Sequence, residues 1–167
     1  PGDWPAYRGD SSGSSVSKTP IPRKVTRGWT FKTPSGAAPT APVTAGGMVF
    51  FGDRSGAVHC LDADGKPVWQ AYTGGAVFFP PTASDGRLFV GSADGRVYAF
   101  EAATGRRLWT YRLAPANRWM PVYGKLISTW PVAGGVVVKD GVVYAAAGIA
   151  HYDGTYVAAL DAASGKV

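Results

Sequence analysis

A repeat of 39 to 40 residues constrains the fold of this chain more than any other feature of its sequence. Residues 47–69 and 86–109 align almost residue for residue, and a third copy covers 141–167. Self-similarity at this period is typical of propellers, in which each repeat folds into one blade and neighbouring blades bury a shared core. The spacing therefore predicts one blade for each copy.

Each copy contains short segments with the alternation and residue types of β-strands. Pairs such as Asp85-Gly86 and Asp140-Gly141 are typical of two-residue hairpin turns, which need a backbone with positive φ. We therefore predict an all-β fold, a β-propeller of four-stranded antiparallel blades. The predicted strands are 41–45, 48–51, 57–62 and one beginning near Trp69, followed by 81–84, 88–91, 96–101 and one beginning near Trp109.

The alignment also divides the chain into two parts, a lead-in segment at 1–27 and a partial propeller at 28–167. Residues 28–31 match the strand that begins at each repeat tryptophan, so we interpret them as the last strand of an earlier blade. The blade repeats cover about 41–72, 80–113 and 135–167, with insertions at 114–129 and 148–154.

The chain therefore holds about three blades plus one strand. A closed propeller of such repeats needs on the order of seven or eight blades. We predict that these residues do not close a ring by themselves. The outer blades would then be covered by the rest of the propeller, supplied by further chain or by other subunits.

Composition and charge narrow the class of protein. The chain is 46% hydrophobic and 17% charged, which is too apolar for a disordered segment. The net charge is +6, but the basic residues are scattered and only Arg23, Lys24 and Arg27 approach a cluster, which argues against a nucleic-acid partner. The longest apolar stretches, such as 142–149, are too short to span a bilayer.

The segments 61–69, 100–109 and 160–167 share a pattern of an acidic residue, alanine, glycine and, in the first two, a final tryptophan. They resemble the tryptophan-docking motif of the repeats in pyrroloquinoline-quinone (PQQ)-like propellers, a bacterial family. In that family the tryptophan packs against the neighbouring blade. The resemblance therefore implies that Trp29, Trp69 and Trp109 are structural contacts between blades.

Two functions follow from the resemblance, because the family includes non-catalytic scaffolds related to an outer-membrane assembly lipoprotein and also quinoprotein dehydrogenases. We interpret the chain as an extracytoplasmic binding or scaffolding module, periplasmic or extracellular, with a protein or carbohydrate partner and no cofactor in this segment. The alternative is the N-terminal part of a PQQ-dependent alcohol or sugar dehydrogenase, for which PQQ and calcium would be the cofactors. An accessory domain of a larger enzyme is a third reading.

Catalytic and metal-binding residues are not assigned from the sequence. The quinoprotein resemblance implies PQQ stacked on a disulfide between adjacent cysteines, but Cys60 is the only cysteine and is interpreted as a core residue. The aspartates fall mostly at repeat positions where turn formation explains them. His59 aligns with Tyr98 and is interpreted as an ordinary strand residue.

Two insertions interrupt the repeat. The connection after Trp109 is 15 residues longer than the one after Trp69, and the connection within 141–160 is five residues longer than its equivalent. In a four-stranded meander both connections leave the same face of the propeller. We therefore expect the loop 114–129 to contact, or lie beside, the loop 148–154.

Aromatic and polar side chains of these insertions are typical of a binding surface. They would form one rim on which an aromatic ring stacks on a sugar or quinone and a basic group meets an anion. The structural alternative is a lid that packs on its own blades, with Trp119 and Trp130 buried. The candidate binding residues are Arg118, Trp119, Tyr123, Lys125, Trp130, His151, Tyr152 and Asp153.

Overall fold

The computed structural model describes residues 2–17, 19–20, 22–149 and 153–167, and these residues form strands and turns without an α-helix. No helix of the described residues could cross a membrane. The strands are β1 (Val43–Ala45), β2 (Met48–Gly52), β3 (Ala57–Leu61), β4 (Pro67–Tyr72), β5 (Thr82–Ser84), β6 (Arg87–Gly91), β7 (Arg96–Glu101), β8 (Arg107–Arg112), β9 (Trp119–Val122), β10 (Lys125–Ser128), β11 (Val136–Lys139), β12 (Val142–Ala147) and β13 (Tyr156–Asp161).

The strands form blades in chain order. The first sheet has the order β1-β2-β3-β4 and the second β5-β6-β7-β8, while the third has the three strands β11-β12-β13. All pairs are antiparallel. The predicted all-β partial propeller of four-stranded antiparallel blades is confirmed.

The tight turns have the backbone that the sequence predicts. Asp85 and Gly86, between β5 and β6, have φ of 48° and 71°, and Asp140 and Gly141 repeat this with 50° and 74°. Two successive residues with positive φ match the right-handed twist of the flanking strands. These turns fix the register of the first hairpin in the second and third blades.

The first strands of successive blades lie beside each other and form the inner edge of the arc. The Thr82 hydroxyl of β5 donates to the Val136 carbonyl of β11 at 2.7 Å. Trp4 and Pro5 of the predicted lead-in segment also lie on this edge. Trp4 forms a β-bridge with Thr44 of β1, and the next carbonyl, of Pro5, accepts from the amide of Ala83 in β5 at 2.7 Å. The start of the chain therefore connects two blades.

Apolar side chains fill the space between blades. One cluster joins the first and second blades and includes Phe50, Cys60, Leu88 and Phe100, while a second cluster joins the second and third blades. Cys60 is fully buried, as predicted, and burial together with the charge of Asp62 raises the pKa of its thiol to about 12. A thiol in this environment is inert at neutral pH.

Each repeat tryptophan contacts the blade that follows it in the same way. Its indole N–H donates to an alanine carbonyl, and its ring lies where a β-carbon on the nearby glycine would be. A side chain at that glycine would therefore collide with the ring. The donor and acceptor pairs are Trp29 and Ala63 at 2.9 Å, Trp69 and Ala102 at 2.9 Å, and Trp109 and Ala162 at 3.1 Å, over Gly65, Gly105 and Gly165 respectively.

Residues 28–31 differ from the strand predicted for them. They are not in a ladder, because no described strand lies beside them to supply hydrogen-bond partners. Trp29 nevertheless makes the same docking contact as Trp69 and Trp109, and Phe31 packs edge-on against Phe51 with ring centroids 5.7 Å apart. The segment covers part of the first blade without extending a sheet.

Candidate functional site

The longer insertion, which we predicted as a loop, contains a β-hairpin. Strands β9 and β10 pair from Trp119 with Ser128 to Val122 with Lys125. Tyr123 and Gly124 form the two-residue turn, with φ of 45° and 76°. The hairpin gives the insertion a defined shape that stands above the blades.

Hydrogen bonds between connections show that the insertions share one face with the corresponding connections of the other blades. The amide of Val77 donates to the Asp53 carbonyl at 3.0 Å, and the amide of Ser128 donates to the Ala93 carbonyl at 2.7 Å. The amide of Gly148 donates to the Pro131 carbonyl at 3.1 Å. We call this surface the insertion face; it comprises 53–56, 73–81, 92–95, 113–135, 148–149 and 153–155.

The two insertions contact each other through Arg118, Trp130 and Asp153, which we call the clasp. The Arg118 guanidinium forms an ion pair with the Asp153 carboxylate and lies 4.6 Å from the centroid of the Trp130 ring. The Trp130 indole donates to the Asp153 carbonyl at 2.7 Å. The predicted contact between the insertions is therefore confirmed. Trp130 is buried, so its ring supports the clasp and is not accessible to a partner.

Replacing Arg118 with Ala is expected to loosen the hairpin without unfolding the blades. The ion pair and the cation–π contact are lost, but both involve a partly exposed guanidinium and contribute little to global stability. Hydrogen exchange at the amides of β9 and β10 should become faster, while the melting temperature falls by less than about 3 °C. The exposed Arg23→Ala is the matched control, and unchanged exchange in the hairpin would contradict the clasp.

The end of the hairpin carries exposed apolar side chains. We call residues 122–126 the hairpin tip. Tyr123 is fully exposed and the Leu126 side chain is 66% exposed. Trp119, at the base of β9, is 42% exposed, with its indole N–H bonded to the Asn117 side chain at 3.0 Å. The hairpin therefore presents apolar surface to solvent at these positions, while Met120, Val122 and Ile127 pack against the blades.

A cleft of about 650 Å³ lies between the hairpin tip and the first blade. Its walls include Phe78, Leu126 and Ile149. The Arg54 guanidinium lies 4.6 Å from the centroid of the Phe78 ring, and the Lys125 ammonium donates to the Arg54 carbonyl at 3.2 Å. The cleft thus combines apolar walls with two cationic groups.

The structure distributes the predicted binding residues over three places. Arg118, Trp130 and Asp153 form the clasp, whereas Tyr123 and Lys125 line the cleft. Trp119 lies apart from both, at the base of the hairpin. His151 and Tyr152 lie outside the described residues. The lid that we considered fits the buried Trp130 but not the exposed Trp119.

A buried polar pair beside the cleft was missed from the sequence. Asp53 and His59 are both buried, and Nε2 of His59 lies 2.9 Å from Oδ2 of Asp53. The His59 ring stacks on Phe51 with centroids 4.8 Å apart. Asp53 is the first residue of the turn that carries Arg54 and Ser55, both of which line the cleft.

The hydrogen bonds of Asp53 determine its charge. Burial alone would raise the pKa of this carboxyl group, but hydrogen bonds from Ser55, His59 and the Ala57 amide outweigh burial and lower the pKa. Ser55 contributes its amide at 2.7 Å and its hydroxyl at 2.5 Å. Asp53 is therefore ionised at neutral pH, and its role is to hold the turn.

The second blade contains a related pair at a different position. The Tyr98 hydroxyl donates to the Asp94 carboxylate and accepts from the Gly74 amide at 3.0 Å. Burial and the adjacent carboxylate raise the pKa of Tyr98 to about 12. Tyr98 aligns with His59, but Asp94 does not align with Asp53. The sequence signal that could have revealed both pairs is that His59 and Tyr98, both polar aromatic residues, occupy the same position of the repeat.

The described residues do not fit the arrangement that the resemblance implies for PQQ and calcium. Cys60 points into the core, with its Sγ 3.5 Å from the Sδ of Met48, and so cannot form the wall of a cleft. Within the ranges that the structure describes, no group of three or more His, Cys, Asp or Glu side chains is arranged to hold a metal ion.

Comparison with known proteins gives one family for nearly the whole chain. Residues 11–167 match the family model described as outer membrane protein assembly factor BamB. The protein of that name from Burkholderia pseudomallei is 36% identical over 96 residues, covering 58% of this chain and 24% of that protein. The dehydrogenase subunit of the quinone alcohol dehydrogenase of Acetobacter aceti is 36% identical over 84 residues, which cover 50% of this chain and 11% of that subunit. The chain thus spans about a quarter or less of these relatives.

Solved structures show the same fold. A europium-containing methanol dehydrogenase superposes with a TM-score of 0.75 at 18% identity, over 99% of this chain and 31% of that one. BamB from Moraxella catarrhalis superposes with a TM-score of 0.55 at 27% identity, over 75% of this chain and 37% of that one. The first similarity concerns the fold alone.

Proposed function

We propose that this chain, which belongs to the family of outer membrane protein assembly factor BamB, is part of a periplasmic binding or scaffolding propeller whose insertion face binds a protein partner. The relatives named as assembly factors support this reading, since such a factor acts on or beside other proteins. The rest of the propeller would cover the exposed side of the third blade, where Tyr144 and Val157 are 45% and 73% exposed.

The exposed apolar surface of the hairpin tip is the observation that carries the proposal. A monomer gains nothing in stability from placing Tyr123 and Leu126 in water, and tyrosine is among the residues enriched at partner-binding sites. The clasp fixes the position of the hairpin, so little conformational entropy would be lost when a partner binds.

Replacing both Tyr123 and Leu126 with Ser is expected to weaken partner binding by at least about tenfold, because two apolar anchors are removed. The melting temperature should stay nearly unchanged, since neither side chain is buried. Val68→Ser, at a half-exposed position on β4, is the matched control.

A photo-crosslinking residue placed at position 123 of the full-length protein identifies the partner in the cell envelope. The proposal expects one discrete crosslinked protein, absent when the residue is placed at 68 and diminished by excess unlabelled protein. Equal crosslinking at both positions would contradict a specific site on the hairpin.

The similarity to the Acetobacter aceti subunit supports a second candidate, a PQQ-dependent dehydrogenase. The full-length protein would be reconstituted with PQQ and calcium and assayed for dye-linked oxidation of alcohols or sugars. Oxidation that depends on both additions would favour the dehydrogenase over the scaffold.

A further inference from the structure

A groove of about 390 Å³ on one face of the second blade is lined by Arg96, Tyr98, Arg107 and Thr110, and a third arginine, Arg112, lies opposite Arg96 on β8. The register pairs Arg96 with Arg112 and Tyr98 with Thr110 across β7 and β8. Tyr98 belongs to the core shared with the first blade, so this face is turned toward that blade. The groove lies outside the insertion face.

The positive charges of this face are poorly compensated. Like charges directly opposite each other on neighbouring strands destabilise a sheet, and Arg96 and Arg112 occupy such positions. The nearest carboxylate, that of Asp94, lies 4.0 Å from Nε of Arg96 and already accepts a hydrogen bond from Tyr98. Among the described residues, neither Arg107 nor Arg112 forms an ion pair.

Thr110 supplies an independent observation. Its hydroxyl oxygen is buried and has no hydrogen-bond partner, and in the described part of the chain it is the only buried side-chain polar atom in that state. A buried polar group without a partner is costly, and in a native structure such a group is expected to have a reason. Thr110 lines the same groove as Arg96 and Arg107.

Comparison with the first blade shows that the repeat does not require these residues. The register of β3 and β4 puts uncharged residues at every equivalent position. The first blade therefore folds without a basic face, whereas the second blade has one. In order of Arg96, Arg107, Thr110 and Arg112, the equivalents are Ala57, Pro67, Gln70 and Tyr72.

We propose that this groove binds a phosphate group, either free or esterified. Arginine forks recognise the oxygens of phosphate, and the Thr110 hydroxyl would donate one further hydrogen bond. The phosphate oxygens would accept from Arg96 and Arg107, the two arginines that line the groove. The proposal does not rest on partner binding, since it involves other residues than the hairpin and clasp.

Inorganic phosphate at low concentration is expected to raise the melting temperature of the full-length protein above that in sodium chloride of equal ionic strength. Replacing Arg96 and Arg107, the two arginines that line the groove, together with Ala should weaken phosphate binding by about tenfold for each arginine, because each would make charge-assisted hydrogen bonds. Arg23→Ala with Arg27→Ala removes the same charge elsewhere and should leave the phosphate effect intact.

Thr110→Val distinguishes a binding site from a merely basic surface. In chloride this variant should be as stable as the parent or more so, because it removes an unsatisfied buried hydroxyl without changing the shape of the side chain. In phosphate the stabilisation should be smaller than that of the parent. Equal stabilisation of parent and variants by phosphate would overturn the proposal.

A second arm separates the sources of the phosphate group. Sedimentation with vesicles of phosphatidylglycerol and phosphatidylcholine, lost in the double arginine variant but kept in the control, would assign an esterified headgroup. Thermal stabilisation by inorganic phosphate without sedimentation would assign the free anion. Failure of both arms overturns the proposal and leaves crosslinking at the hairpin tip unaffected.

Discussion

Replacing Trp69 with Ala is expected to lower the free energy of unfolding by about 3 kcal/mol, the low end for loss of a large aromatic side chain because the ring is only partly buried. The ring packs against Phe50, with centroids 6.0 Å apart, and its indole N–H donates to the Ala102 carbonyl of the next blade. Urea denaturation measures the change. Trp119 is 42% exposed, so Trp119→Ala should lower the free energy of unfolding far less.

Gly105→Ala tests the same contact from the other blade. A β-carbon at position 105 would lie 2.5 Å from the Trp69 ring, whereas one at Gly86 would meet open space. The two glycines have nearly equal φ, 72° and 71°, so Gly86→Ala has the same backbone strain without the collision. The difference between the two variants isolates docking. Equal destabilisation would remove the inter-blade role that we propose for the tryptophan.

Replacing Asp53 with Ala is expected to lower the free energy of unfolding by about 3 kcal/mol, because removing a buried carboxylate leaves its hydrogen-bond donors without an acceptor. The carboxylate accepts from Ser55, from the Ala57 amide and from His59. The variant should also disturb the cleft, since Arg54 follows directly in the same turn.

The pH dependence of stability gives a second signature of Asp53. Its pKa is lower in the folded protein than in the unfolded chain, so the unfolded chain binds more protons when the solution is acidic. The stabilisation is complete at neutral pH and is lost as the pH falls below about 4 toward the folded-state pKa. Asp53→Asn should therefore make the protein lose less stability as the pH falls below about 4.

Most of the blade architecture could be predicted from the sequence because the repeat, the strand alternation and the turns agree. The predicted strand at 96–101 coincides with β7, and the turn at Asp85 and Gly86 adopts the expected backbone. The hairpin of β9 and β10 was missed for two physical reasons. Pro121 argues against a strand, and Tyr123 is a residue that rarely adopts positive φ.

The site was only partly predictable. The insertion lengths and the meander topology were enough to predict that the loops carrying Arg118 and Asp153 lie together. Both of these features follow from chain connectivity, which the sequence shows. They did not separate the buried Trp130 from the exposed Tyr123, since exposure depends on how the hairpin tilts over the blades. The pair of Asp53 and His59 was hidden because the two repeats place the aspartate at different turn positions.

The bridge that the start of the chain makes across two blades has a consequence for the order of folding. Trp4 meets Thr44 across 40 positions of sequence, and the amide of Ala83 reaches back to Pro5. Contacts of such long sequence separation form late, because the intervening loop must first be closed. During synthesis the residues around Trp4 are therefore fixed only after the two blades that follow them in the sequence have formed. These residues then complete the inner edge of the arc.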